Sequence, residues 1–553
     1  MRSLRRPTLG VESLVLLACI AFSLAYNGAL WKLLFPGQTV PGLLFAGLLV
    51  AITCLQFSAI LLVVTRRTVR PVLAVLFLGT ALASYFMDRY AVFVNKEMLR
   101  NVLQTDLAEA GELLTLPLLT HLLLYAGLPM LLLASVRVTH RPLTRSIAAK
   151  GGSVAIALLC ATVAVAAQYR DTATLLRTHR EARHLVTPTN FVAALYKVLR
   201  NPNEPPQQRQ AIALDAHRVL RAGTGGKPTV LVIVVGETVR SANFGLSGYA
   251  RQTTPKLSGM DLMVYPRVTA CGTSTAVSLP CMFSRVGHRG HDQDRIAREQ
   301  SVLHVLQRVG YDVTWIDNQS GCKGTCDGLT EIRIPGNFDA DLCDGDRCLD
   351  GILLPRLHAA LDRETGDQVI VLHMLGNHGP AYSRRYPPEF RRFTPTCQSA
   401  ELGQCSRTAI VNAYDNAILY TDHVLATAIR ELEADTRHSS ALIYVSDHGE
   451  SLGEAGFYLH GLPWGIAPAE QREVPMFFWL SRNLRASTGI STACLERTRP
   501  QQVTHDHLFH SVLGLLDVRT SARDPSLDLF SGCRPQGGAA TAENAATLAV
   551  RYP

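Results

Sequence analysis

Five long apolar runs occupy the first 170 residues, whereas the rest of the 553-residue chain has the pattern of a soluble protein. The runs span residues 11–31, 42–64, 71–87, 113–135 and 152–169. A helix needs about 20 mostly apolar residues to cross the hydrocarbon core of a bilayer. The pattern therefore predicts a transmembrane domain of five helices in residues 1–170. One apolar run could be a cleavable signal peptide, but five in succession could not.

An amphipathic stretch at residues 88–112 separates the third and fourth runs. Its apolar residues recur at helical spacing, namely Met98, Leu99, Val102, Leu103 and Leu107. Such a pattern predicts a helix that lies on the membrane surface. Asn101, Thr105 and Glu109 are four residues apart and share one helix face. On the pattern alone, that face is most simply a solvated one.

The soluble part begins with a predicted connector of helices at 171–227, continues as a domain at 228–535, and ends in a predicted flexible tail at 536–553. Three apolar stretches in the domain have the composition of buried strands: TVLVIVVGET, VIVLHMLGNHGP and ALIYVSDHGE. Helical stretches lie between them. This alternation predicts an α/β domain with a largely parallel sheet flanked by helices.

Basic residues predict the orientation of the chain in the membrane. Clusters of arginine and lysine precede the first span and fill the loops after the second and fourth spans: Arg2, Arg5, Arg6, Arg66, Arg67, Arg70, Arg137, Arg141, Arg145 and Lys150. The positive-inside rule places these segments in the cytoplasm, so five spans leave the soluble domain outside it. The net charge of +9 is partly this topological excess and does not indicate nucleic-acid binding.

Cysteine usage is consistent with that orientation. Cys19, Cys54 and Cys160 lie in the predicted spans, and the other ten cysteines lie in the soluble part: Cys271, Cys281, Cys322, Cys326, Cys343, Cys348, Cys397, Cys405, Cys494 and Cys533. Ten clustered cysteines are typical of disulfide bonds in an oxidising compartment such as a bacterial periplasm. Metal binding by CxxxC pairs is the alternative, but the zinc-ribbon spacing is absent.

Acidic and histidine residues follow each of the three predicted strands. Glu237 follows the first strand, His378 the second, and Asp447 with His448 the third. Functional sites of such sheets form at the carboxyl ends of the strands, and carboxylate and imidazole groups bind zinc or manganese. The sequence predicts a metal site there. The simpler alternative is that the two histidines are hydrogen-bonded turn residues.

The segment TACGTSTAVSLPCMFS, residues 269–284, carries the candidate nucleophile. A hydroxyl needs a base or a metal ion to become nucleophilic at neutral pH. Thr275 is the best candidate because a glycine-containing loop enters a predicted helix there, and a helix N-terminus favours an anion. An ordinary helix cap is the alternative. A Cys271–Cys281 bond would hold the loop in place.

Seven motifs together resemble the lipid A phosphoethanolamine transferases of Gram-negative envelopes, including those of the mobile colistin-resistance type. They are VVGETVRSANFGLSGYARQTTP, CGTSTAVSLPCMFS, DNQSGCKG, HMLGNHGPAYSRRYP, NAYDNAILYTDH, YVSDHGESLGE and YLHGLPWGIAPAEQ. The resemblance covers nearly the whole chain. It implies that the soluble domain has an alkaline-phosphatase-like or sulfatase-like fold and lies in the periplasm. It also implies that the chain is a multi-pass protein of the bacterial inner membrane.

The resemblance also implies the residues of the site. Zinc would be bound by Glu237, Thr275, Asp447 and His448, with Thr275 as the nucleophile that accepts phosphoethanolamine. The positions of His378 and His460 match residues that bind phosphoethanolamine or a second zinc ion. Further substrate contacts are implied at Ser320, Lys323, Asn101, Thr105 and Glu109. Glu450 is expected to orient a neighbouring ligand.

The implied reaction takes phosphoethanolamine from phosphatidylethanolamine to Thr275 and then to a phosphate of lipid A, and it implies resistance to polymyxin and colistin. The partners are these lipids and the membrane, with no nucleic acid, and the chain is expected to be a monomer. The alternative is phosphoethanolamine or phosphoglycerol transfer to a core sugar or another envelope glycan. A sulfatase is disfavoured because no CxPxR-type motif follows a strand. A transporter or sensor is disfavoured because the spans carry few ionisable groups.

Two expectations complete the sequence analysis. His505, Asp506 and His507 resemble a metal motif but are interpreted as helix-capping residues. Five disulfide bonds are predicted, the last by elimination: Cys271–Cys281, Cys322–Cys326, Cys343–Cys348, Cys397–Cys405 and Cys494–Cys533.

Overall fold

The computed structural model describes residues 7–35, 42–104, 110–111, 113–200, 209–219, 227–290, 292–345, 347–363, 366–497, 499 and 502–534. The chain divides into two compact units. The first contains residues 1–203 with 455–458, and the second contains residues 204–454 with 459–553. Helices of the predicted connector therefore belong to the first unit. The predicted tail at 536–553 lies outside the described residues.

The first unit is helical. Its helices are α1 (Val11–Ala25), α2 (Gly28–Leu34), α3 (Gly42–Val63), α4 (Val69–Tyr90), α5 (Lys96–Gln104), α6 (Leu116–Ser135), α7 (Leu143–Ala167), α8 (Tyr169–Thr178) and α9 (Thr189–Arg200). Within the described residues, α3, α4, α6 and α7 are long and apolar enough to cross a membrane. The α1–α2 pair, bent by 54°, makes a fifth span when it is counted as one. The five predicted spans correspond to these helices.

The bend between α1 and α2 is stabilised by Asn27. Its side-chain amide donates to the carbonyl oxygens of Phe22, at 2.7 Å, and Thr187, at 3.1 Å. Its side-chain oxygen accepts from the backbone N–H of Thr187 at 2.8 Å. Backbone polar groups in a lipid environment must find partners inside the protein. The buried Asn27 side chain meets this requirement where the helix is interrupted.

The predicted membrane-surface helix is shorter in the structure. The spanning helix α4 continues to Tyr90, and α5 covers Lys96–Gln104. Residues 105–109 lie outside the described part of the chain, so Thr105 and Glu109 are not placed. Asn101 lies in α5.

The second unit is built around an eight-stranded sheet. Its order is β13–β5–β12–β9–β4–β8–β6–β7. The fourteen named strands of the described residues are β1 (Thr8–Leu9), β2 (Arg137–Val138), β3 (His217–Arg218), β4 (Thr229–Gly236), β5 (Met263–Thr269), β6 (Asp312–Asp317), β7 (Thr330–Arg333), β8 (Gln368–His373), β9 (Ser439–Ser446), β10 (Ser451–Leu452), β11 (Tyr458–Leu459), β12 (Glu473–Leu480), β13 (Val503–Thr504) and β14 (Val518–Arg519). In the large sheet only β12 runs opposite to the others, because it is antiparallel to both of its neighbours. The predicted α/β fold is confirmed.

Helices cover both faces of this sheet. They are α10 (Thr275–Met282), α11 (Gly287–Gly290), α12 (Gln293–Arg298), α13 (Val302–Arg308), α14 (Leu353–Leu361), α15 (Arg407–Ala434), α16 (Ala469–Arg472), α17 (Arg482–Thr488), α18 (Thr492–Arg497) and α19 (Asp506–Leu515). Leu231, Ile233 and Val235 of β4 pack in one core with apolar residues of α10, α13 and α19. Val232 and Val234, which point to the opposite face, are buried as well. Strands buried on both faces explain the continuous apolar runs of β4, β8 and β9.

The ten cysteines of the second unit form five disulfide bonds. They are Cys271–Cys281, Cys322–Cys326, Cys343–Cys348, Cys397–Cys405 and Cys494–Cys533. These are the five pairs predicted from the sequence. Cys322 and Cys326 are bonded to each other, so neither offers the thiolate that a metal ion would need.

The disulfide pattern predicts the outcome of thiol labelling. Alkylation of the denatured, unreduced full chain should label Cys19, Cys54 and Cys160 alone, since these are the free cysteines. Prior reduction should expose all 13 cysteines to the reagent. Peptide mass spectrometry reads out both states, and stoichiometric labelling of any soluble-unit cysteine without reduction would contradict the assignment.

Candidate active site

The site begins where two neighbouring parallel strands end. Gly236 of β4 lies opposite Ser446 of β9 in the ladder. The residues that follow are Glu237 on one strand and Asp447 with His448 on the other, so their side chains meet at the same edge of the sheet. All three are fully buried. The Nε2 atom of His448 lies 3.5 Å from Oε1 of Glu237 and 3.3 Å from Oδ2 of Asp447.

Thr275 brings a hydroxyl into this group from the first residue of α10. The hydroxyl lies 3.1 Å from each carboxylate oxygen of Glu237 and 3.2 Å from Nε2 of His448. Ser274, not Thr275, occupies the N-cap position of the helix. Thr275 is therefore not a helix cap. Thr275 is only 6 % exposed. Its hydroxyl faces a carboxylate and an imidazole at the N-terminal end of α10, where the helix dipole is positive.

Asp447 and His448 have the hydrogen-bond pattern of metal ligands. The Oδ1 atom of Asp447 accepts from the backbone N–H groups of Thr238, at 3.2 Å, and His448, at 2.7 Å, whereas Oδ2 accepts no hydrogen bond among the described residues. The Nδ1 atom of His448 lies 2.9 Å from the carbonyl oxygen of Gly449 and donates to it. Burial lowers the pKa of His448 to about 4. The imidazole is then neutral at pH 7, with the lone pair of Nε2 facing Thr275 and both carboxylates.

This group fits a zinc ion. One ligand atom each from Glu237, Asp447 and His448 lies within 4.8 Å of the others. Carboxylate oxygens and an imidazole nitrogen are donors that zinc accepts, and the hydroxyl of Thr275 completes a set of four. A buried carboxylate oxygen without a partner is costly. A cation bound here would remove that cost at Oδ2 of Asp447.

A second layer of polar residues adjoins the cluster. Glu450 is buried and accepts from the hydroxyl of Tyr382 at 2.6 Å, while its other carboxylate oxygen lies 2.8 Å from Nδ1 of His460. The ring of His460 lies 4.4 Å from that of His448 and 5.7 Å from that of His378, measured between centroids. The structure thus brings together His378, His460 and Glu450 beside the four cluster residues.

The turn after β8 places His378 by close contact with the backbone of Glu237. Gly376 has a φ of +55°, and an added Cβ would lie 2.6 Å from the carbonyl oxygen of Glu237. The backbone N–H of Asn377 donates to that same oxygen at 3.0 Å. Asp350 accepts from the backbone N–H groups of Leu375 and Gly376, both at 2.8 Å. Only glycine fits where these two turns touch.

The remaining predicted substrate contacts are placed less closely. Ser320 and Lys323 lie in the loop after β6, which is two strands from β4 at the same edge of the sheet. The Nζ atom of Lys323 donates to the carbonyl oxygen of Ser320 at 3.1 Å. Asn101 lies in the other unit.

Several residues around the site were not predicted from the sequence. Ser278 of α10 donates to the carbonyl oxygen of Asp447, and Arg240 donates to the carbonyl oxygen of Glu450 at 3.0 Å. Tyr382 holds Glu450, as described above. These contacts join residues that are distant in sequence, so no local sequence motif predicts them.

The interpretation of His505, Asp506 and His507 as helix caps holds only in part. His507 accepts from the backbone N–H of Thr504 at 3.1 Å, close to the start of α19. Asp506 accepts from the backbone N–H groups of His288 and Arg289 in α11. His505 occupies the N-cap position of α19 without a side-chain cap bond, because its ring contacts other segments. None of the three belongs to either of the two groups of potential metal ligands found among the described residues.

Comparison with known proteins gives a consistent result for the whole chain. The model of the phosphoethanolamine transferases EptA/EptB matches residues 52–202, and the sulfatase model matches residues 229–518. Phosphoethanolamine transferase EptA of Escherichia coli K12 is 34% identical over 542 residues, which cover 96% of this chain and 99% of that protein. Phosphatidylethanolamine transferase Mcr-1 of Escherichia coli is 35% identical over 525 residues, which cover 92% and 95%.

Solved structures agree with the sequence comparison. The integral membrane protein lipooligosaccharide phosphoethanolamine transferase A of Neisseria meningitidis superposes with a TM-score of 0.91 at 34% identity, covering 96% of this chain and all of that one. The separate soluble domain of the Neisseria enzyme matches with a TM-score of 0.57 at 40% identity, over 59% of this chain and 98% of that one. The predicted sulfatase-like fold of the soluble unit is confirmed.

The unpaired oxygen of Asp447 predicts a zinc-dependent gain in stability. Zinc at about 100 times its dissociation constant should add about 2.7 kcal/mol to the free energy of unfolding and raise Tm of the full chain. Asp447→Asn should lose most of this zinc-induced shift, as read by a thermal-shift assay after chelation and zinc titration.

Asp415→Asn is the matched control. Asp415 is also a fully buried aspartate of the second unit, but its partners are Asn243, Tyr249 and Arg251. This substitution should lower the starting Tm and keep the zinc-induced shift. Equal shifts in wild-type protein and Asp447→Asn would rule out the assigned metal site.

Proposed function

Because the chain belongs to the phosphoethanolamine transferases of the EptA/EptB family, we propose that it transfers phosphoethanolamine from phosphatidylethanolamine to a phosphate group of lipid A, through a covalent intermediate on Thr275. The chain is an integral inner-membrane protein with a sulfatase-like soluble unit in the periplasm. Both proposed lipids are accessible from that side of the membrane.

One observation carries the proposal. The hydroxyl of Thr275 lies 3.1 Å from both oxygens of Glu237 and 3.2 Å from a neutral imidazole. In the same buried group, Oδ2 of Asp447 accepts no hydrogen bond from the residues that the structure describes. A serine or threonine hydroxyl acts as a nucleophile when neighbouring groups orient it and lower its pKa. A threonine with a purely structural role would not require two buried acids and a histidine around its hydroxyl oxygen.

We assign zinc to Glu237, Thr275, Asp447 and His448. A bound zinc ion would lower the pKa of the Thr275 hydroxyl and offset the negative charge of the phosphoryl group. The chain itself contributes orientation. Glu237 accepts from the hydroxyl of Thr275, and Gly449 fixes the tautomer of His448 through Nδ1.

The proposed reaction has two displacement steps at phosphorus. In the first, Oγ1 of Thr275 forms a bond to the phosphorus of phosphatidylethanolamine, the bond from phosphorus to the glycerol oxygen breaks, and the proton lost by Thr275 leaves with diacylglycerol. In the second, a lipid A phosphate oxygen attacks the phosphothreonine. The bond from phosphorus to Oγ1 breaks, and the proton of the acceptor phosphate returns to Thr275.

The residues beside the cluster are proposed to hold the transferred group. His460 lies next to His448, and His378 lies next to His460. Both are assigned to phosphoethanolamine or to a second zinc ion, with Glu450 orienting His460. The ammonium group of Lys323 and the hydroxyl of Ser320 are assigned to the substrate phosphate, since a cation stabilises the charge of a phosphoryl group. Asn101, Thr105 and Glu109 remain proposed lipid contacts near the membrane.

The acceptor is the least constrained part of the proposal. The Neisseria relative carries lipooligosaccharide in its name, and a relative from Escherichia coli K12 that is 28% identical is a Kdo(2)-lipid A phosphoethanolamine 7''-transferase. We therefore place lipid A phosphate first and a core sugar second.

The four cluster residues come from one chain, which is consistent with a monomer. The transferred phosphoethanolamine carries a positively charged ammonium group, which would lower the net negative charge of the outer surface and weaken the attraction of polymyxin and colistin.

Mass spectrometry of lipid A tests the proposal directly. Gram-negative cells that express the chain should carry a phosphoethanolamine adduct on lipid A. Thr275→Val should abolish the adduct, because valine keeps the shape of threonine and removes the hydroxyl, whereas Thr275→Ser should retain part of it. Intact-protein mass spectrometry should find phosphoethanolamine on wild-type Thr275 when the acceptor is withheld.

The outcomes separate nucleophile from acceptor. An unchanged adduct in Thr275→Val would refute Thr275 as the nucleophile. A covalent intermediate on Thr275 without any lipid A adduct would move the acceptor to a core sugar or another glycan. Membrane fractionation and immunoblotting confirm that the variants are expressed and inserted at equal levels.

A further inference from the structure

His505 connects the strand end that carries Asp447 with the loop that carries Thr275. Its imidazole is fully buried, although it belongs to none of the residues assigned to zinc or substrate. The backbone N–H of Cys271 donates to Nδ1 at 3.1 Å, and Nε2 lies 3.0 Å from the carbonyl oxygen of Ser446. The hydroxyl of Ser278 lies 3.3 Å from Nδ1.

These contacts define one tautomer. A backbone N–H can only donate, so Nδ1 must carry a lone pair. The ring proton then lies on Nε2 and is donated to the carbonyl oxygen of Ser446, which can only accept. Neutral His505 satisfies both backbone groups at once.

The two ends of this connection differ in rigidity. Ser446 ends β9, which lies between β4 and β12 in the sheet and is held by both. Cys271 lies outside the sheet, in the loop between β5 and α10, four residues before Thr275. The strand is therefore the fixed reference, and the loop is the part whose position the imidazole sets. Ser278, one helical turn after Thr275, donates to the carbonyl oxygen of Asp447 and reinforces the same spacing.

We propose that His505 is a positioning residue, which holds the Thr275 loop at the distance from the end of β9 that brings Oγ1 of Thr275 to the phosphorus atom. This inference rests on the proposed function. His505 touches neither substrate nor zinc in it; it acts through the backbone of Cys271 and Ser446. Misplacing a reacting group by about 1 Å costs on the order of 100-fold in rate, so a loop that lacks the hydrogen bond to His505 would react more slowly.

Two substitutions of His505 test its hydrogen bonds to Cys271 and to Ser446 separately. His505→Asn places a carboxamide oxygen near the position of Nδ1, so it can keep the acceptor for Cys271 and lose the bond to Ser446. His505→Gln reaches the position of Nε2, so it can keep the donor to Ser446 and lose the acceptor for Cys271. Ser278→Ala tests the same spacing from α10 and alters only a hydroxyl.

His510→Asn is the matched control. His510 lies on the same helix, α19, is buried, and accepts from the backbone N–H of Asp524 at 3.0 Å. Burial lowers the pKa values of both histidines to about 4, so each substitution removes a buried neutral imidazole. No hydrogen bond joins His510 to the Thr275 loop among the described residues, so His510→Asn reports the general cost of such a change in α19.

The experiment uses the full chain in detergent micelles with purified lipid A as acceptor and phosphatidylethanolamine as donor. Steady-state rates give kcat and KM for the donor, chelator competition gives the zinc dissociation constant, and a thermal-shift assay gives Tm. We expect both His505 variants to lower kcat by about tenfold or more, with KM and zinc affinity within about twofold of wild type. Ser278→Ala should lower kcat in the same direction, and His510→Asn should lower Tm alone.

Three results would overturn the proposal. The first is a kcat for the His505 variants equal to that of His510→Asn. The second is a loss of zinc affinity parallel to the loss of kcat, since His505 would then hold the metal ligands and not the loop. The third is an unchanged kcat for Ser278→Ala when the His505 variants do not fold. Failure of the proposed function is distinct, because wild-type protein would then release no diacylglycerol in the same assay.

Discussion

The burial of Glu237, Asp447 and His448 side by side is the constraint on which the rest of the structure depends. Two carboxylates with no access to water repel each other, and each loses the hydration that stabilises its charge. Backbone N–H groups stabilise one oxygen of Asp447, and the other has no hydrogen-bond partner in the described chain. The proposed zinc ion would offset this charge, and it would also activate the hydroxyl of Thr275.

The fold supplies this constraint by topology. Parallel strands end at one edge, so β4 and β9, which are adjacent in the sheet, bring Glu237 and the Asp447–His448 pair to the same point although the two strands are distant in sequence. The flanking elements add one contribution each: α10 brings the hydroxyl, the turn after β8 brings His378, and the segment around His460 closes the group. Two reciprocal hydrogen bonds, between Gly461 and Thr273 and between Thr273 and Leu462, tie that segment to the nucleophile loop.

The sequence predicts those parts of the site whose residues stand in a recognisable local pattern. Glu237, Asp447 and His448 come directly after an apolar run, and His378 lies in the turn after another, so the apolar runs of the strands predicted their edge of the sheet. Thr275 follows a glycine loop into a helix. His505 was interpreted as a helix cap, and Tyr382 and Arg240 were missed. Their partners are distant in sequence, 234 residues away in the bond from Cys271 to His505. The bend at Asn27 was missed for the same reason, since its partner Thr187 is 160 residues away and the apolar run continues through the break.

The disulfide connectivity has a consequence for export. Along the chain, the ten cysteines of the second unit are bonded two by two in sequence order, the first to the second, the third to the fourth and so on, with separations of 10, 4, 5, 8 and 39 residues. A chain that crosses the membrane from its N-terminal end presents these thiols to a periplasmic oxidant in that same order. An oxidant that joins the cysteines two by two, in the order in which they reach the periplasm, produces the five native disulfide bonds. The protein can therefore mature in cells with oxidase activity alone, without an isomerase to correct crossed pairs.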